Sequence, residues 1–270
     1  WSTEARRRVA LFRKSGVLSN GDRIQILGED VDGKTDDLGA ILVKAGDQFS
    51  SICGTTDTSF ISLLLAPLIG DDEEEEDVLS KNNSSVIMRL TLEADGNPIA
   101  ARYLLGGDAQ VAIWEKIWGK YTTDELKYDV LLTPHHCSWH SLSWDSWSEK
   151  GKDAKVSATA RKALAQAEPG ATVLSSSTTI KDDKNDPPCI RAQREYQDII
   201  NPGKGEFRCL ADEPGDDLRG SDGGRQDLVN GARESWEINS EGGIGDTLRQ
   251  DREHDQPGYD VELGVTEPTR

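Results

Sequence analysis

Three of the chain's four histidines fall within six residues, in the run Leu131-Leu132-Thr133-Pro134-His135-His136-Cys137-Ser138-Trp139-His140-Ser141. Neutral imidazole is the commonest protein ligand for a metal ion, and it carries protons near neutral pH. Two adjacent histidines directly after an apolar run are seldom both needed for packing. The structural alternative is a hydrogen-bonded turn organised by Ser138 and Ser141. A second stretch, Tyr103-Leu104-Leu105-Gly106-Gly107-Asp108, leads an apolar strand into two glycines and an aspartate. The glycines permit tight turns and close backbone approach. The aspartate then projects from the C-terminal end of a strand, where α/β folds place functional groups. It is equally placed to cap the helix that follows.

Both stretches need strands to hold them. Residues 85–92 (SVIMRLTL) alternate apolar and polar side chains, as a half-buried strand does. Asp95-Gly96-Asn97-Pro98 is a turn signal, and residues 99–105 (IAARYLL) return as the partner strand of a hairpin. Residues 109–120 place Val111, Trp114, Ile117 and Trp118 at helical spacing, so these aromatics read as core or groove packing. Residues 129–133 (DVLLT) and 171–176 (ATVLSS) have the content of fully buried strands. Residues 156–167 read as an Ala-rich helix stopped by Pro169-Gly170. Residues 190–200 read as a helix, and 207–210 as a last strand. Upstream, residues 5–14 suit a basic amphipathic helix, residues 23–27 and 39–43 short strands, and residues 60–69 a core segment. The expected organisation is 1–81 with an acidic loop, a regular α/β portion over 82–210, and an acidic Gly-rich tail over 211–270. The tail holds ten glycines and only scattered apolar residues, so weak order is expected there.

Composition removes several classes of function. The chain has 270 residues, a net charge of −18 and four cysteines. No apolar run approaches the roughly 20 residues that a membrane helix needs. There is no CxxC pair and no disulfide framework, which points to a reducing, cytoplasmic setting. The overall charge disfavours nonspecific binding to nucleic acid or anionic lipid. Much of that charge is local, however. The run Asp71 to Asp77 contributes −7 and the tail −10, so the remainder is near neutral and has room for a local basic groove. The acidic run itself reads as a solvated loop.

Taken in order, the L-L-x-G-D strand end, the helix and the L-x-x-P-H-H strand end resemble the C-terminal half of the metallo-β-lactamase fold. The ComEC-like branch, related to the C-terminal domain of the DNA-uptake channel protein, has the most similar pattern. Asn82-Asn83-Ser84-Ser85-Val86-Ile87-Met88-Arg89-Leu90 is similar to a strand of the same branch. The resemblance spans about residues 82–180. It implies a four-layer αββα architecture, an α/β sandwich, with two zinc or other divalent ions at one edge. It implies that Asp108 bridges the metals and that His135 or His136, with some preference for His136, is a further ligand. Water held between the metals then attacks an ester, amide or phosphodiester. His140 stands near as a proton donor or substrate contact.

Three features depart from that pattern. No histidine precedes His135, so the upstream His-x-His-x-Asp-His signature is not within these residues. The expectation is a fragment that begins after the signature, incomplete at its N-terminal side and inactive alone; the alternative is a degenerate member without metals. Cys137 stands where the motif has glycine, either as a buried thiol or as a soft ligand. The tail lacks the strand pattern that would finish the fold. Half of a sandwich would also leave an apolar sheet face open. Residues 182–189 (DDKNDPPC) read as a loop that lines a pocket or simply turns the chain. Trp139, Trp144 and Trp147 read as a stacking surface for a base or as loop packing. The function expected is metal-dependent hydrolysis of a phosphoester, in a nucleic acid or nucleotide, with Asp108, His136 and His140 as the catalytic set. The alternative is a non-catalytic interaction module on the same fold.

Overall fold

The structure is a computed structural model that describes residues 2–28, 33–70, 78–79 and 84–213. The acidic run 71–77, residues 82–83 and the tail beyond 213 lie outside the described residues. The chain opens with helix α1 (Ser2–Ser15) and the short strands β1 (Ile26–Leu27) and β2 (Leu42–Val43), which pair in parallel. A small hairpin, β4 (Ser51–Ile52) with β5 (Thr55–Thr56), follows the short strand β3 (Gln48–Phe49).

One large mixed sheet organises the rest. Its strands are β3, β6 (Phe60–Ala66), β7 (Ile87–Ala94), β8 (Asn97–Leu105), β9 (Tyr128–Leu132), β10 (Ala167–Ser175) and β11 (Glu206–Cys209). They lie side by side in the order β11-β10-β9-β8-β7-β6-β3. The half from β3 to β8 is antiparallel, and the half from β8 to β11 is parallel. The β7–β8 hairpin closes at Asp95-Gly96, whose φ values of 53° and 73° suit a two-residue turn between right-twisted strands. The parallel connections carry helices, as crossovers must. These are α2 (Val111–Lys120) and α3 (Thr123–Leu126) before β9, α4 (Trp147–Lys150) and α5 (Ala158–Leu164) before β10, and α6 (Ile190–Ile200) before β11.

Register sorts the side chains onto two faces. Leu63, Arg89, Leu104, Leu131, Val173 and Phe207 share one row across six strands. Leu63, Leu104, Leu131 and Val173 are buried there in one cluster with Ile113, Trp114, Ile117, Leu164, Tyr196 and Ile200. Trp114 and Ile117 are therefore core residues, as their helical spacing suggests. On the other face Met88, Leu105, Leu132 and Leu174 form a row in register. All four are partly exposed, as are Leu90, Leu92, Tyr103 and Val130. One face of the sheet is thus covered by helices except at Arg89 and Phe207, which are part-exposed, while the other is largely apolar and part-open, closing at Leu64, which pairs with Met88 and is fully buried.

One sequence expectation is corrected. Pro169-Gly170 does not stop a helix at residue 167. The helix α5 ends at Leu164, and Pro169 and Gly170 lie inside β10, which begins at Ala167. The pairing of β10 with β9 shifts register between Ala167 and Thr172, and Gly170 takes a φ of 79°. An irregular stretch of this kind tolerates a residue without an N–H and one with positive φ.

Candidate functional site

Two glycines let two strand ends meet. A β-carbon on Gly106 would stand 2.9 Å from the backbone nitrogen and Cβ of Pro134. One on Gly107, whose φ is 54°, would stand 2.8 Å from the carbonyl oxygen of Val86. Real β-carbons essentially never approach so closely, so the end of β8 passes under the segment after β9 only because side chains are missing there. The His135 N–H then donates to the Gly107 carbonyl at 2.8 Å and ties the two ends together.

Asp108 is presented rather than used as a cap. The N-cap of α2 is Gln110, without a side-chain cap bond. The backbone N–H of Asp108 donates to Ser85 Oγ at 3.2 Å, and its carboxylate is 56% exposed.

The residues after β9 make an unusual turn. His135, His136 and Cys137 all have left-handed φ values, of 47°, 55° and 67°. Each non-glycine residue in that region costs on the order of 1–2 kcal/mol. The turn persists because its surroundings fix it at several points. Cys137 N–H donates to Pro134 O at 3.1 Å, Ser138 N–H to His135 O at 3.1 Å and Cys189 N–H to Cys137 O at 3.0 Å. Ser141 Oγ donates to Ala109 O at 2.9 Å. Ser138 and Ser141 therefore do organise the turn, and the turn also carries the histidines. Strain that persists in this way is characteristic of functional sites.

His136 faces Asp108. Its Nδ1 lies 2.9 Å from the carbonyl oxygen of Ser176, which can only accept. The proton of a neutral ring therefore sits on Nδ1. The bare Nε2 then looks at Asp108 Oδ1 across 3.9 Å. A cation between two such groups, either a metal ion or the second proton of the ring, would satisfy both. Two ligands each about 2.1 Å from a zinc ion stand about 3.4 Å apart at the tetrahedral angle, so a small closure suffices. A ring nitrogen fixed by a backbone carbonyl is also the usual support of a ligating histidine. The donor set thus fits one divalent ion in part. Among the described residues no group of three or more His, Cys, Asp or Glu is placed to hold a metal.

The other candidates separate. His135 lies beside His136, with ring centroids 6.4 Å apart, and its Nδ1 is buried without a hydrogen-bond partner. Cys137 is fully buried, and burial pushes its thiol well above the usual range, so it is a neutral core group rather than a ready ligand. Its left-handed φ of 67° is one that a glycine would adopt without penalty. His140 is 41% exposed, and its Nε2 lies 3.8 Å from Oδ2 of Asp186. Asp186 belongs to the loop 182–189, and its contact with the histidine turn is not apparent from the sequence. Three other residues of that loop, Asp183, Asn185 and Pro188, border a cavity of about 340 Å³. Of the tryptophans, Trp139 is buried and meets Trp147 edge-on at 6.3 Å, whereas Trp144 is 59% exposed. A larger cavity, about 650 Å³, lies elsewhere, between Pro67, Leu68, Leu79, Ala112 and Trp144.

Among the described residues no helix is long and apolar enough to cross a membrane. Comparison with known proteins found no matching protein-family model, no matching curated protein and no matching solved structure.

Proposed function

We propose that these residues are the ligand-bearing half of a divalent-metal hydrolase with the metallo-β-lactamase architecture, with zinc as the ion. The observation that carries this reading is the pairing of Asp108 Oδ1 with the bare Nε2 of His136 at 3.9 Å on a strained, braced turn. The sheet supports it too. One face is covered by helices and the other is apolar and part-open, which suits one half of an αββα sandwich. The substrate class, a phosphoester of a nucleic acid or nucleotide, follows from the resemblance of the two strand-end motifs. The four cysteines are free, in keeping with a cytoplasmic protein.

In this reading Asp108 supplies a negative charge that offsets part of the ion's charge. His136 supplies a neutral nitrogen, held in orientation by Ser176. A bound divalent ion would polarise the substrate and make a bound water acidic enough to attack near neutral pH. The glycine pair and the left-handed turn hold both ligands in place before anything binds, so little ordering cost remains. His140 stays available to move a proton.

A second reading is a non-catalytic interaction module. The part-open apolar face favours it, since a face of that kind suits a protein partner. The two are separated by zinc-dependent hydrolysis of bis(4-nitrophenyl) phosphate in the natural full-length protein. The hydrolase reading expects Asp108→Asn and His136→Gln each to remove at least about two orders of magnitude of rate, with folding retained. Equal rates in wild type and both variants would leave the interaction module.

A further inference from the structure

The Asp186 carboxylate is buried, with only 7% of its side chain exposed. Its two oxygens are used differently. Oδ1 accepts from Ser138 Oγ at 2.7 Å and from the Trp139 N–H at 2.9 Å. Both are obligate donors here, because Oδ1 has no proton to give. Oδ2 is buried with no hydrogen-bond partner, and it faces Nε2 of His140 at 3.8 Å. A buried carboxylate oxygen left without a donor is costly. The nitrogen that faces it is Nε2 of His140, which can supply a donor when it carries the ring's proton.

We propose that Asp186 and His140 form a carboxylate–imidazole dyad, with Asp186 as the positioning residue and His140 as the group that meets substrate. Asp186 fixes the tautomer. The proton of neutral His140 sits on Nε2, against Oδ2, and Nδ1 keeps the lone pair. The ring is part-exposed, so that lone pair is available to a ligand. Resting on the hydrolase reading for its use, the dyad works as a proton carrier. Nδ1 takes a proton from the attacking water or a substrate hydroxyl, breaking an O–H bond and forming an N–H bond. The positive charge that results lies beside Asp186. The same proton then passes to the departing oxygen. Asp186 also braces the turn through Ser138 and Trp139, so one carboxylate serves both the backbone and the imidazole.

The test uses the tautomer and does not depend on hydrolysis. In Asp186→Asn the amide oxygen must stay on the side of Ser138 and Trp139, because the Trp139 N–H can only donate. The NH₂ group then faces His140 and requires a bare Nε2. The ring proton of neutral His140 is thereby driven to Nδ1. Long-range proton–nitrogen spectra of the nitrogen-15-labelled chain, in alkaline buffer where imidazole is neutral and with no metal added, report the tautomer directly. His140→Gln assigns the signals, and thermal unfolding checks that Asp186→Asn is folded. The expected result is an Nε2–H ring in wild type and an Nδ1–H ring in Asp186→Asn. The same tautomer in both would overturn the dyad. Asp108→Asn separates the two readings. It is expected to disturb zinc binding and leave the His140 tautomer as in wild type, whereas a flip in that variant would tie His140 to the other pair and overturn the assignment.

Discussion

Gly106 lies so close to Pro134 that a β-carbon on it would stand 2.9 Å from both the Cβ and the nitrogen of the proline. The segment that leads from β8 to Asp108 and the segment carrying His136 therefore meet across a gap that only glycine fits. Gly106→Ala forces the two apart. The expected cost is about 1–3 kcal/mol, the usual range for overpacking, together with weaker zinc binding. Chemical denaturation and zinc titration of the same variant check both. An alanine variant as stable and as tight as wild type would show that the contact is not needed.

The two adjacent histidines differ in what they face. His136 looks at Asp108, and His135 does not share that contact. His136→Gln is expected to abolish zinc binding, and His135→Gln to leave it within a few fold. His135→Gly also removes a left-handed strain of about 1 kcal/mol, partly offset by the backbone entropy of glycine. Its stability is expected to stay near wild type. A loss of zinc binding in His135→Gln with none in His136→Gln would reverse the ligand assignment.

Leu131 and Leu132 are neighbours on opposite faces of β9. Leu131 is fully buried against the helices, and Leu132 is part-exposed. Leu131→Ala is expected to cost about 2–5 kcal/mol, as core truncations do. Leu132→Ala is expected to cost less than half as much. Equal costs, measured by denaturant unfolding, would mean that the second face is as well covered as the first.

Alkaline pH is expected to destabilise the chain. Burial raises the thiols of Cys137 and Cys189 and the hydroxyls of Tyr128 and Tyr196, and pushes Tyr121 up to about 12. These groups are neutral when protonated, so the folded state keeps protons that the unfolded chain releases from about pH 8.5 for Cys and about pH 10 for Tyr. The unfolded state then binds fewer protons, and stability falls as pH rises. Thermal unfolding between about pH 7 and pH 11 should show a plateau up to about pH 8.5 and a steepening fall above it. A flat profile would contradict the burial of these groups.

Local pattern was a good guide where one residue type dominates a face. Residues 190–200 are a helix within those bounds, and the strand over 99–105 extends only two residues further, to Asn97. Asp108 and the histidine run stood out because glycine and histidine are informative residues at strand ends. What stayed hidden depends on contacts between distant segments. Sequence resemblance already leans to His136, but the geometry that turns its ring toward Asp108 rests on the left-handed turn and on Ser176, which local propensity does not report. In the sequence Asp186 is one acidic residue of a polar loop. Its burial arises only when that loop folds back onto Ser138 and Trp139. Pro169 and Gly170 misled for a similar reason, because a register shift inside a sheet has no local signature.

The most direct measurement is calorimetric titration of the metal-free chain with zinc, beside Asp108→Asn and His136→Gln. The proposed site predicts one zinc bound by wild type at micromolar or weaker affinity, as befits two protein ligands, and none by either variant. Zinc binding that is unchanged in both variants, or absent from wild type, would contradict it.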